Sequence, residues 1–541
     1  MACREVLSQF LTSRACNFAL ALLIAGAACA ATLQVSPTGD FRTIQSAVNS
    51  AKSGDTILVH AGTYREAVRV TGDGLTIAGA SGEDVILTGA DLIPSAAWTQ
   101  EPGKPIWRHA PWLYHGPTHP NDERHKLIGR TEQVIADGKL LRQVFQPGEM
   151  QPGTFCADVQ AKVLLIWLAD GGEPAQHRME ASVRPVLMEI SGTHDSVRHL
   201  HLLYASNPAQ KGALIIGGSD NLVEDCIAEW TNGVGAALHG DRNVARRVVS
   251  RFNGQMGMGG HGTDNRMEEC TLEGNNVKGY SKMWEAGGIK ITVSRNFQII
   301  RCKALRNDGP GFWFDIDNRN ERIEDSFAAE NNGAGMFAEI SETATFRNNV
   351  CVRNGLKDEP GAWNGAGILL GEAMRCIVEH NISVGNRSGI EVRQQRIRSL
   401  PADTSRDRPQ EKRYYSEQHI FRNNIAAFNK EWQFAVYGDN AFFGAKREVS
   451  AEELQLMDPD QRGWHSENNL YFAAPGEGLI LWGAKWLPKH QEFHDLASFQ
   501  TKHQLENGSV VADPLFTDWK NDNFALQPDS PAKPIAAGLT R

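Results

Sequence analysis

The chain contains 541 residues, of which 41% are hydrophobic, so it is long enough to bury a large core. Its formal net charge of −9 disfavours nucleic acid as a partner, because phosphate backbones are bound by clusters of Lys and Arg. After residue 30, no apolar stretch approaches the roughly 20 residues that a membrane-spanning helix needs, so we expect no membrane insertion.

Residues 1–30 have the pattern of a secretory signal. Arg4 and Arg14 precede an apolar run from Phe18 to Ala28, and Ala28-Cys29-Ala30 fits a small-x-small cleavage site. We therefore expect a secreted or periplasmic protein.

Residues 31–96 are expected to form an N-terminal cap and the first coils of an elongated β-structure. Thr43 to Ser53 places its apolar residues on one face of a short amphipathic helix, which would cover the open end of the first coil. Over residues 97–191 the regular spacing is lost. Alternating strands around Asp-Gly and Gly-Gly turns predict an inserted antiparallel β-module there.

Residues 192–430 carry a repeat of about 21–24 residues, with longer turns in some units. Each unit closes on an asparagine: Asn232, Asn253, Asn275, Asn307, Asn331, Asn354, Asn386 and Asn429. Short strands separated by Asn-Gly turns at this period predict an all-β fold, the right-handed parallel β-helix. Residues 431–541 are expected to pack on it as a C-terminal region, with a helix near Asp495 to Leu505.

The segment after each Asn turn predicts which side chains face the core. The first and third residues after the glycine are apolar, as in Phe312 and Phe314, and side chains alternate across a strand. The second and fourth residues therefore point outward and stack from coil to coil. The second column reads Lys290, Trp313, Phe337, Leu369 and Glu391, and the fourth reads His239, His261, Thr292, Asp315, Glu339, Gly371 and Arg393. Aromatic residues beside acids in these columns indicate a ligand groove rather than a merely solvated face.

Two motifs place a carboxylate at the same position of successive coils. GFWFDID (Gly311 to Asp317) carries Asp315 and GMFAEIS (Gly335 to Ser341) carries Glu339, which is 24 residues later. Neighbouring strands lie ~4.8 Å apart, and retaining glycosidases hold their two carboxyl groups ~5–5.5 Å apart. The spacing therefore favours an enzyme that cleaves glycosidic bonds. Repulsion between the two acids should raise the pKa of one of them.

The pair formed by Trp313-Phe314-Asp315 and by Phe337-Ala338-Glu339-Ile340 resembles the catalytic pair of glycoside hydrolase family 120. That family consists of retaining β-xylosidases with a β-helix interrupted by a small β-module. The resemblance implies that Asp315 is the nucleophile and Glu339 the general acid/base. The residues alone give the same pair without assigning roles. Asp317, two residues past Asp315 and expected on the same face, could compete for either role.

Further side chains are predicted to line the groove and to bind the substrate. They are Trp313, Phe337, Lys290, His261, Asp317, Glu391, Arg393, Trp284 and Glu285. The only basic run, from Arg393 to Arg413, fits either a solvated loop or a loop at the edge of the groove.

No cofactor or metal is predicted from the sequence, because no Cys/His ligand spacing is present. Five cysteines fall on the apolar strand before the Asn turn: Cys226, Cys270, Cys302, Cys351 and Cys376. Buried free thiols in a core row are favoured over disulfides between coils, which an oxidising compartment would allow.

The predicted function is an exported glycoside hydrolase that acts on a polysaccharide or oligosaccharide by a retaining two-carboxylate mechanism. One alternative is a polysaccharide lyase or uronate epimerase. β-Helix lyases resemble one another in a Lys base followed one coil later by an Arg, but Trp313 follows Lys290 here. The other alternative is a glycan-binding protein without activity. The sugar, the linkage and the oligomeric state stay open.

Overall fold

The computed structural model describes residues 30–114, 130–282, 284–357, 365–438, 441–442, 445–446, 450–483 and 490–540. Three long sheets of 13 strands each run the length of the molecule and form a parallel β-helix. Successive coils return to the same three sheets by parallel crossovers, which are right-handed as a rule. The predicted signal segment lies outside the described residues, except for Ala30.

Sheet A contains Thr32–Val35, Thr56–Val59, Thr76–Gly79, Ser196–Arg198, Leu222–Glu224, Val244–Arg246, Arg266–Glu268, Gln298–Ile300, Arg322–Glu324, Thr345–Arg347, Ile377–Glu379, Ile420–Arg422 and His465–Glu467. Sheet B contains Gly62–Tyr64, Val85–Thr88, His201–Leu203, Ile227–Glu229, Val249–Arg251, Thr271–Glu273, Lys303–Leu305, Phe327–Ala329, Val350–Val352, Ile382–Val384, Ile425–Ala427, Leu470–Phe472 and Val510–Val511. Sheet C contains Val68–Val70, Met188–Ile190, Gly212–Ile216, Val234–Leu238, Met256–Thr263, Gly287–Arg295, Phe312–Asp315, Met336–Glu339, Ala366–Gly371, Ser388–Gln394, Trp432–Gly438, Gly478–Trp482 and the antiparallel Gln491–Phe493.

The inserted module consists of two small sheets. One contains Ala90–Leu92, Val134–Ala136, Lys139–Leu140 and Met179–Ser182, and the other contains Trp98–Gln100, Trp107–His109, Arg142–Gln143, Thr154–Asp158 and Val163–Trp167. All its strand pairs are antiparallel except the one between Arg142–Gln143 and Thr154–Asp158. The module ends before the predicted boundary at residue 191, because Met188–Ile190 already pairs within sheet C.

Helices and hairpins complete the described structure. The helices are Ile44–Ser50, Ala451–Leu456 and Leu496–His503, with 3-10 turns at Ser95–Ala97, Pro147–Glu149, Pro174–Gln176, Thr404–Arg406, Pro459–Gln461 and Trp519–Asn521. The hairpin strands are Arg398–Leu400 with Lys412–Tyr414, Ala441–Phe442 with Ala445–Lys446, and Phe516–Asp518 with Asn523–Leu526.

Both predicted helices are present at the ends of the β-helix. In Ile44–Ser50, the Thr43 side chain accepts the N–H of Ser46, and Ile44, Ala47 and Val48 are buried in the central core. This helix therefore covers the end of the core with the apolar face that the sequence predicts. Leu496–His503 begins with Asp495 as its cap and buries Leu496 and Phe499.

The predicted inward residues lie together in one core between the three sheets. Ile289, Phe312, Phe314, Met336, Ala338, Ile368, Leu370, Ile390 and Val392 all belong to it. The six cysteines in the described ranges are buried free thiols, and five of them, all but Cys156, fill this core.

Asparagine side chains form a continuous ladder at the turn before sheet C. Each backbone N–H donates to the side-chain oxygen of the asparagine one coil later, as Asn307 does to Asn331 and Asn331 to Asn354. The ladder runs from Asn253 to Asn429 and ends on Gln433. Asn232 was predicted to belong to it, but Thr231 occupies that position, since its N–H donates to Asn253.

The coils extend beyond the predicted boundary at residue 430. Trp432–Gly438, His465–Glu467, Leu470–Phe472 and Gly478–Trp482 pair in register with the strands before them. Their longer connections hide the period in the sequence. The segment after Val511 lies beside the coils, where Phe516, Ala532 and Ala537 are buried against sheet B residues.

Candidate active site

Asp315 and Glu339 are direct neighbours on the outer face of sheet C. Phe312–Asp315 pairs in parallel with Met336–Glu339, and the two acids are register partners. Adjacent strands lie ~4.8 Å apart. Because Phe314 and Ala338 point into the core, alternation sends both carboxylates outward. We refer to these two residues as the acid pair.

Lys290 compensates the charge of Asp315. Its Nζ lies 2.8 Å from Asp315 Oδ2, donates to the Trp284 carbonyl at 2.5 Å and lies 4.1 Å from the centre of the Trp313 ring. Burial alone would lower the pKa of Lys290, but the negative charges of Asp315 and Glu285 raise it. The amino group therefore stays protonated.

The second oxygen of Asp315 is left without a donor by the described protein groups. Asp315 is only 4% exposed, yet within the described part of the chain its Oδ1 has no hydrogen-bond partner. A buried carboxylate oxygen without a donor is costly. Such an atom at a site is a candidate for direct contact with a substrate.

Glu339 has a different environment. Burial raises its pKa well above the ordinary value, and the charges of Asp315 and Glu372 raise it further, against the opposing charges of Lys290 and Arg398. Arg398 Nη1 lies 3.8 Å from Glu339 Oε1. The acid pair therefore combines a carboxyl group whose pKa burial raises with a carboxyl group that lies against the ammonium group of Lys290.

Trp313 and Phe337 stack on each other rather than presenting open faces. Their ring centres are 5.3 Å apart at an interplanar angle of 15°, and both are buried in a cluster with Leu369. The sequence predicted exposed aromatics at these positions. They are covered because this part of the outer face of sheet C is itself buried, so they form a wall of the site and not an open platform for a sugar.

Trp284 and Glu285 lie beside Lys290, on the turn that leads into its strand. Gln210 Nε2 donates to Glu285 Oε2, and Gln255 Nε2 donates to the Glu285 carbonyl at 2.9 Å. Burial raises the pKa of Glu285, although Lys290 and Gln210 oppose this shift. The structure thus brings both predicted wall residues to the acid pair.

Asp317 lies apart from the acid pair. The strand ends at Asp315, and Ile316 and Asp317 adopt left-handed backbone angles with φ of 60° and 59°, so the alternation that placed Asp317 on the same face fails. Asp317 is fully buried and accepts hydrogen bonds from Arg408 and, at 2.9 Å, from Tyr414 Oη. Asp317 therefore anchors another segment of the chain and does not lie where it would bind a substrate.

That segment is the excursion after Gln394, residues 395–416, which we call the strap. It contains the hairpin Arg398–Leu400 with Lys412–Tyr414. Lys412 binds Glu342, Arg408 and Tyr414 bind Asp317, and Arg398 approaches Glu339. The basic run of the sequence is therefore a loop at the edge of the site, the second of the two interpretations left open.

Glu372 and Arg398 were not singled out from the sequence. Glu372 is buried and accepts the N–H groups of Gln395 at 2.7 Å and Arg396 at 3.3 Å. Burial raises its pKa. Its position directly after Gly371, the residue next to Glu339 in the fourth column, was a usable signal. The sequence contains no such signal for Arg398, because only tertiary folding brings the strap back to the acid pair.

The remaining predicted residues lie on more distant coils. Arg393 is in register with Gly371, two coils after Glu339, and Glu391 lies on the same strand; both are buried. His261 is exposed beside a bulge in its strand and stacks on His239, with ring centres 4.2 Å apart. Burial and the neighbouring His261 lower the pKa of His239 to about 4, so it is neutral at pH 7.

Among the residues that the structure describes, no three His, Cys, Asp or Glu side chains are grouped as a metal site requires. No helix within the described ranges is long and apolar enough to cross a membrane.

Comparisons with known proteins agree with the observed architecture. Residues 211–382 match the family described as right handed beta helix region. The solved structure of XylC in complex with xylose is similar with a TM-score of 0.63 at 18% identity, covering 85% of this chain and 87% of that one. A structure described as a glycoside hydrolase is similar with a TM-score of 0.51 at 11% identity, covering 67% of this chain and 95% of the other. At these identities the likeness establishes the right-handed parallel β-helix fold.

One curated sequence is also similar over a short stretch. The uncharacterized protein YwoF of Bacillus subtilis (strain 168) is 36% identical over 50 residues, which is 9% of this chain. The match spans 11% of the length of that protein.

Proposed function

We propose that this protein is a glycoside hydrolase that works by a retaining double displacement, with Asp315 as nucleophile and Glu339 as general acid/base. The observation that carries the proposal is the acid pair itself. Two carboxyl groups stand on adjacent strands in environments of opposite character, which is how one fold assigns a nucleophile and an acid.

In the first step Asp315 Oδ1 attacks the anomeric carbon while the bond to the leaving-group oxygen breaks. Glu339 gives its proton to that oxygen, and a covalent glycosyl-enzyme forms. In the second step the Glu339 carboxylate takes a proton from water, the water oxygen bonds to the anomeric carbon, and Asp315 leaves as a carboxylate. Lys290 stabilises that carboxylate before attack and after departure.

A xyloside is the first substrate to test. XylC binds xylose and has the same fold over most of both chains. A neutral sugar also suits a site in which Lys290 and Arg398 are already directed at carboxylates of the protein.

The lyase alternative receives less support from the geometry. A lyase base must be unprotonated to remove a proton, but the acids around Lys290 raise its pKa. The strand partner of Lys290 on the next coil is Trp313, so the Lys-then-Arg pattern in which β-helix lyases resemble one another is missing here.

The deciding experiment is chemical rescue. Asp315→Ala should reduce turnover of an aryl β-xyloside by roughly 10⁴-fold or more, the scale on which loss of a catalytic nucleophile acts. Azide should then restore turnover and give a glycosyl azide of inverted anomeric configuration, because the anion enters the cavity while Glu339 still protonates the leaving group.

Asp91→Ala is the matched control, since Asp91 is a partly exposed strand acid in the module, paired only with Arg184 among its described contacts. Full activity in Asp315→Ala, or an unsaturated product that absorbs in the near ultraviolet, would refute the hydrolase mechanism. Products from a panel of plant and algal glycans would then identify the sugar and linkage.

A further inference from the structure

A second cleft lies between the inserted module and the turns of the β-helix. Its volume is about 390 Å³, within the range of small-molecule sites. Glu132, Leu141 and Gln143 line it from the module, and Trp230, Val277 and Lys278 line it from the β-helix. We call it the junction cleft.

The junction cleft is separate from the acid pair. Trp230 directly follows Ile227–Glu229, in the turn before Val234–Leu238, and Lys278 lies in the turn before Gly287–Arg295. Asp315 and Glu339, by contrast, are the last residues of later strands of the same sheet. The cleft therefore lies at the start of upstream strands of sheet C, and neither the acid pair nor Lys290, Trp284 or Glu285 lines it.

The two walls of the cleft are tied together. Gln133 Nε2 donates to the Trp230 carbonyl at 3.0 Å, and Lys278 donates across the junction to the Arg130 carbonyl. These contacts join residues far apart in the chain, so the cleft is formed before any ligand binds. A preformed cleft loses little conformational entropy when it is occupied.

Its apolar wall contains a fixed aromatic ring. Trp230 stacks against Phe252, with ring centres 4.9 Å apart at 24°, and Trp230 itself lines the cleft. Val277 at the rim is half exposed. A flat indole ring that is fixed by stacking on Phe252 is suited to bind the C–H face of a pyranose ring.

Its polar wall offers both donors and acceptors. Gln143 Nε2 donates to Glu132 Oε2 at 3.3 Å, while within the described structure Gln143 Oε1 is buried without a hydrogen-bond partner. Lys278 donates to Asn232 Oδ1 at 2.6 Å, and burial lowers the pKa of Lys278 to about 8. An unpartnered amide oxygen of this kind needs a donor from a ligand.

We propose that the junction cleft is a saccharide-binding site for a neutral sugar unit, distinct from the acid pair. Its lining contains one carboxylate, Glu132, and two cationic side chains, Lys278 and the exposed Arg142, so its net charge is small and gives no strong preference for an anionic or cationic ligand. An aromatic face beside amide and carboxylate groups matches a molecule with C–H faces and hydroxyl edges. The choice of a sugar rests in part on the proposed function, because such a site would hold a further part of the same glycan.

The test is calorimetric titration of the full chain with xylohexaose and with cellohexaose as neutral probes. The protein carries Asp315→Asn, so that the probe is not cleaved. Val277→Arg places a long side chain at the rim of the cleft and should weaken one binding event at least about tenfold, which corresponds to about 1.4 kcal/mol. Trp230→Ala should do the same.

Val511→Arg is the matched control, because Val511 is a strand valine of similar exposure, 47% against 50% for Val277, and lies outside the cleft. Equal affinity in Val277→Arg and Val511→Arg would overturn the proposal. Absence of binding to both neutral probes, or binding of a charged uronate oligosaccharide alone, would overturn it as well.

The two proposals fail separately. Binding at the junction cleft is measured without turnover, so a failed azide rescue leaves the calorimetric result intact. If both hold, Val277→Arg should leave kcat/KM for an aryl xyloside unchanged and lower it for the hexasaccharide.

Discussion

At the scale of single residues, Asp315 and Glu339 occupy equivalent positions of neighbouring strands but meet different partners. Lys290 lies 2.8 Å from Asp315, whereas Arg398 lies 3.8 Å from Glu339 and does not offset the effect of its burial. Burial then dominates at Glu339 and raises its pKa. The two environments differ because Lys290, one coil before Trp313, lies on the strand that pairs with the strand of Asp315.

The raised pKa of Glu339 predicts a pH dependence that depends on the leaving group. A general acid must be protonated, so kcat/KM for substrates with poor leaving groups should fall as pH rises through the pKa of Glu339. Glu339→Ala should slow those substrates by ~10²–10⁴-fold and remove this alkaline limb. Activated aryl glycosides should lose much less in their first step, because they need no proton. An equal loss for both leaving-group classes would contradict the acid role.

At the scale of elements, the strap is held by a buried cluster around Asp317. Arg408 binds Asp317 directly, and Arg295 and Arg319 lie at 3.5 and 3.7 Å from its carboxylate. A buried carboxylate loses heavily when a paired cation is removed. The strap carries Arg398 toward Glu339, so its attachment affects the acid pair.

Arg408→Met should destabilise the protein by about 3–5 kcal/mol, the usual result of removing one partner of a buried ion pair. It should also raise KM and increase hydrogen exchange in residues 396–415. Arg413→Met is the control on the same hairpin, because Arg413 pairs with the exposed Glu452 at 2.7 Å. Such a surface pair contributes about 0–1 kcal/mol. Identical exchange in the two variants would show that Asp317 does not hold the strap.

A second asparagine ladder contains one acid. Asp195 donates its N–H to Asn221, Asn221 to Asn243, and Asn243 to Asn265, so Asp195 stands where the following coils have Asn. Asp195 Oδ1 accepts the N–H of Leu75 at 2.8 Å, while its buried Oδ2 has no partner in the described ranges. Burial raises the pKa of Asp195 from 3.8 to about 6.

Asp195→Asn should therefore stabilise the protein at neutral pH. The folded state binds the proton more tightly than the unfolded state, so the stability that Asp195 gives below pH 4 is lost as pH rises from about 4 to about 6. A difference of about two pKa units corresponds to ~3 kcal/mol at most. Urea unfolding should show a gain of that order at pH 7 and none at pH 4. A gain of equal size at both pH values would rule out ionisation as its cause.

At the scale of the whole molecule, the C-terminal segment stabilises the coils from outside. Phe516, Ala532 and Ala537 bury the outer faces of sheet B residues, including Ile382 and Ile425. Because each coil contacts only its neighbours, a segment that lies across several coils links them into one unit.

Phe516→Ala should lower the free energy of unfolding by about 3–5 kcal/mol, as for other buried Phe truncations. The midpoint should shift together in far-ultraviolet circular dichroism and in tryptophan fluorescence. Phe145→Ala is the control, because Phe145 is 38% exposed on the module. A loss confined to one probe would indicate that the C-terminal segment unfolds independently of the coils.

The sequence by itself determined the coil, the core and the acid pair. Period and alternation are local properties of the chain: a strand residue such as Phe314 must point opposite to Asp315, and stacked coils must align Asp315 with Glu339. The same rule misplaced Asp317, because alternation ends where the strand ends and a left-handed turn begins. It also missed the coils after residue 430, whose long connections hide the period.

Only the tertiary structure decided what surrounds the acid pair. The burial of Trp313 and Phe337 depends on what covers the outer face of sheet C. The approach of Arg398 to Glu339 and the anchoring of the strap at Asp317 join residues about 60 to 90 positions apart in the chain. The junction cleft likewise joins residues of the module to turns more than 90 positions later. A repeat specifies which residues of one sheet are neighbours. It does not specify which insertion folds back over them, because that depends on contacts with no fixed spacing in the chain.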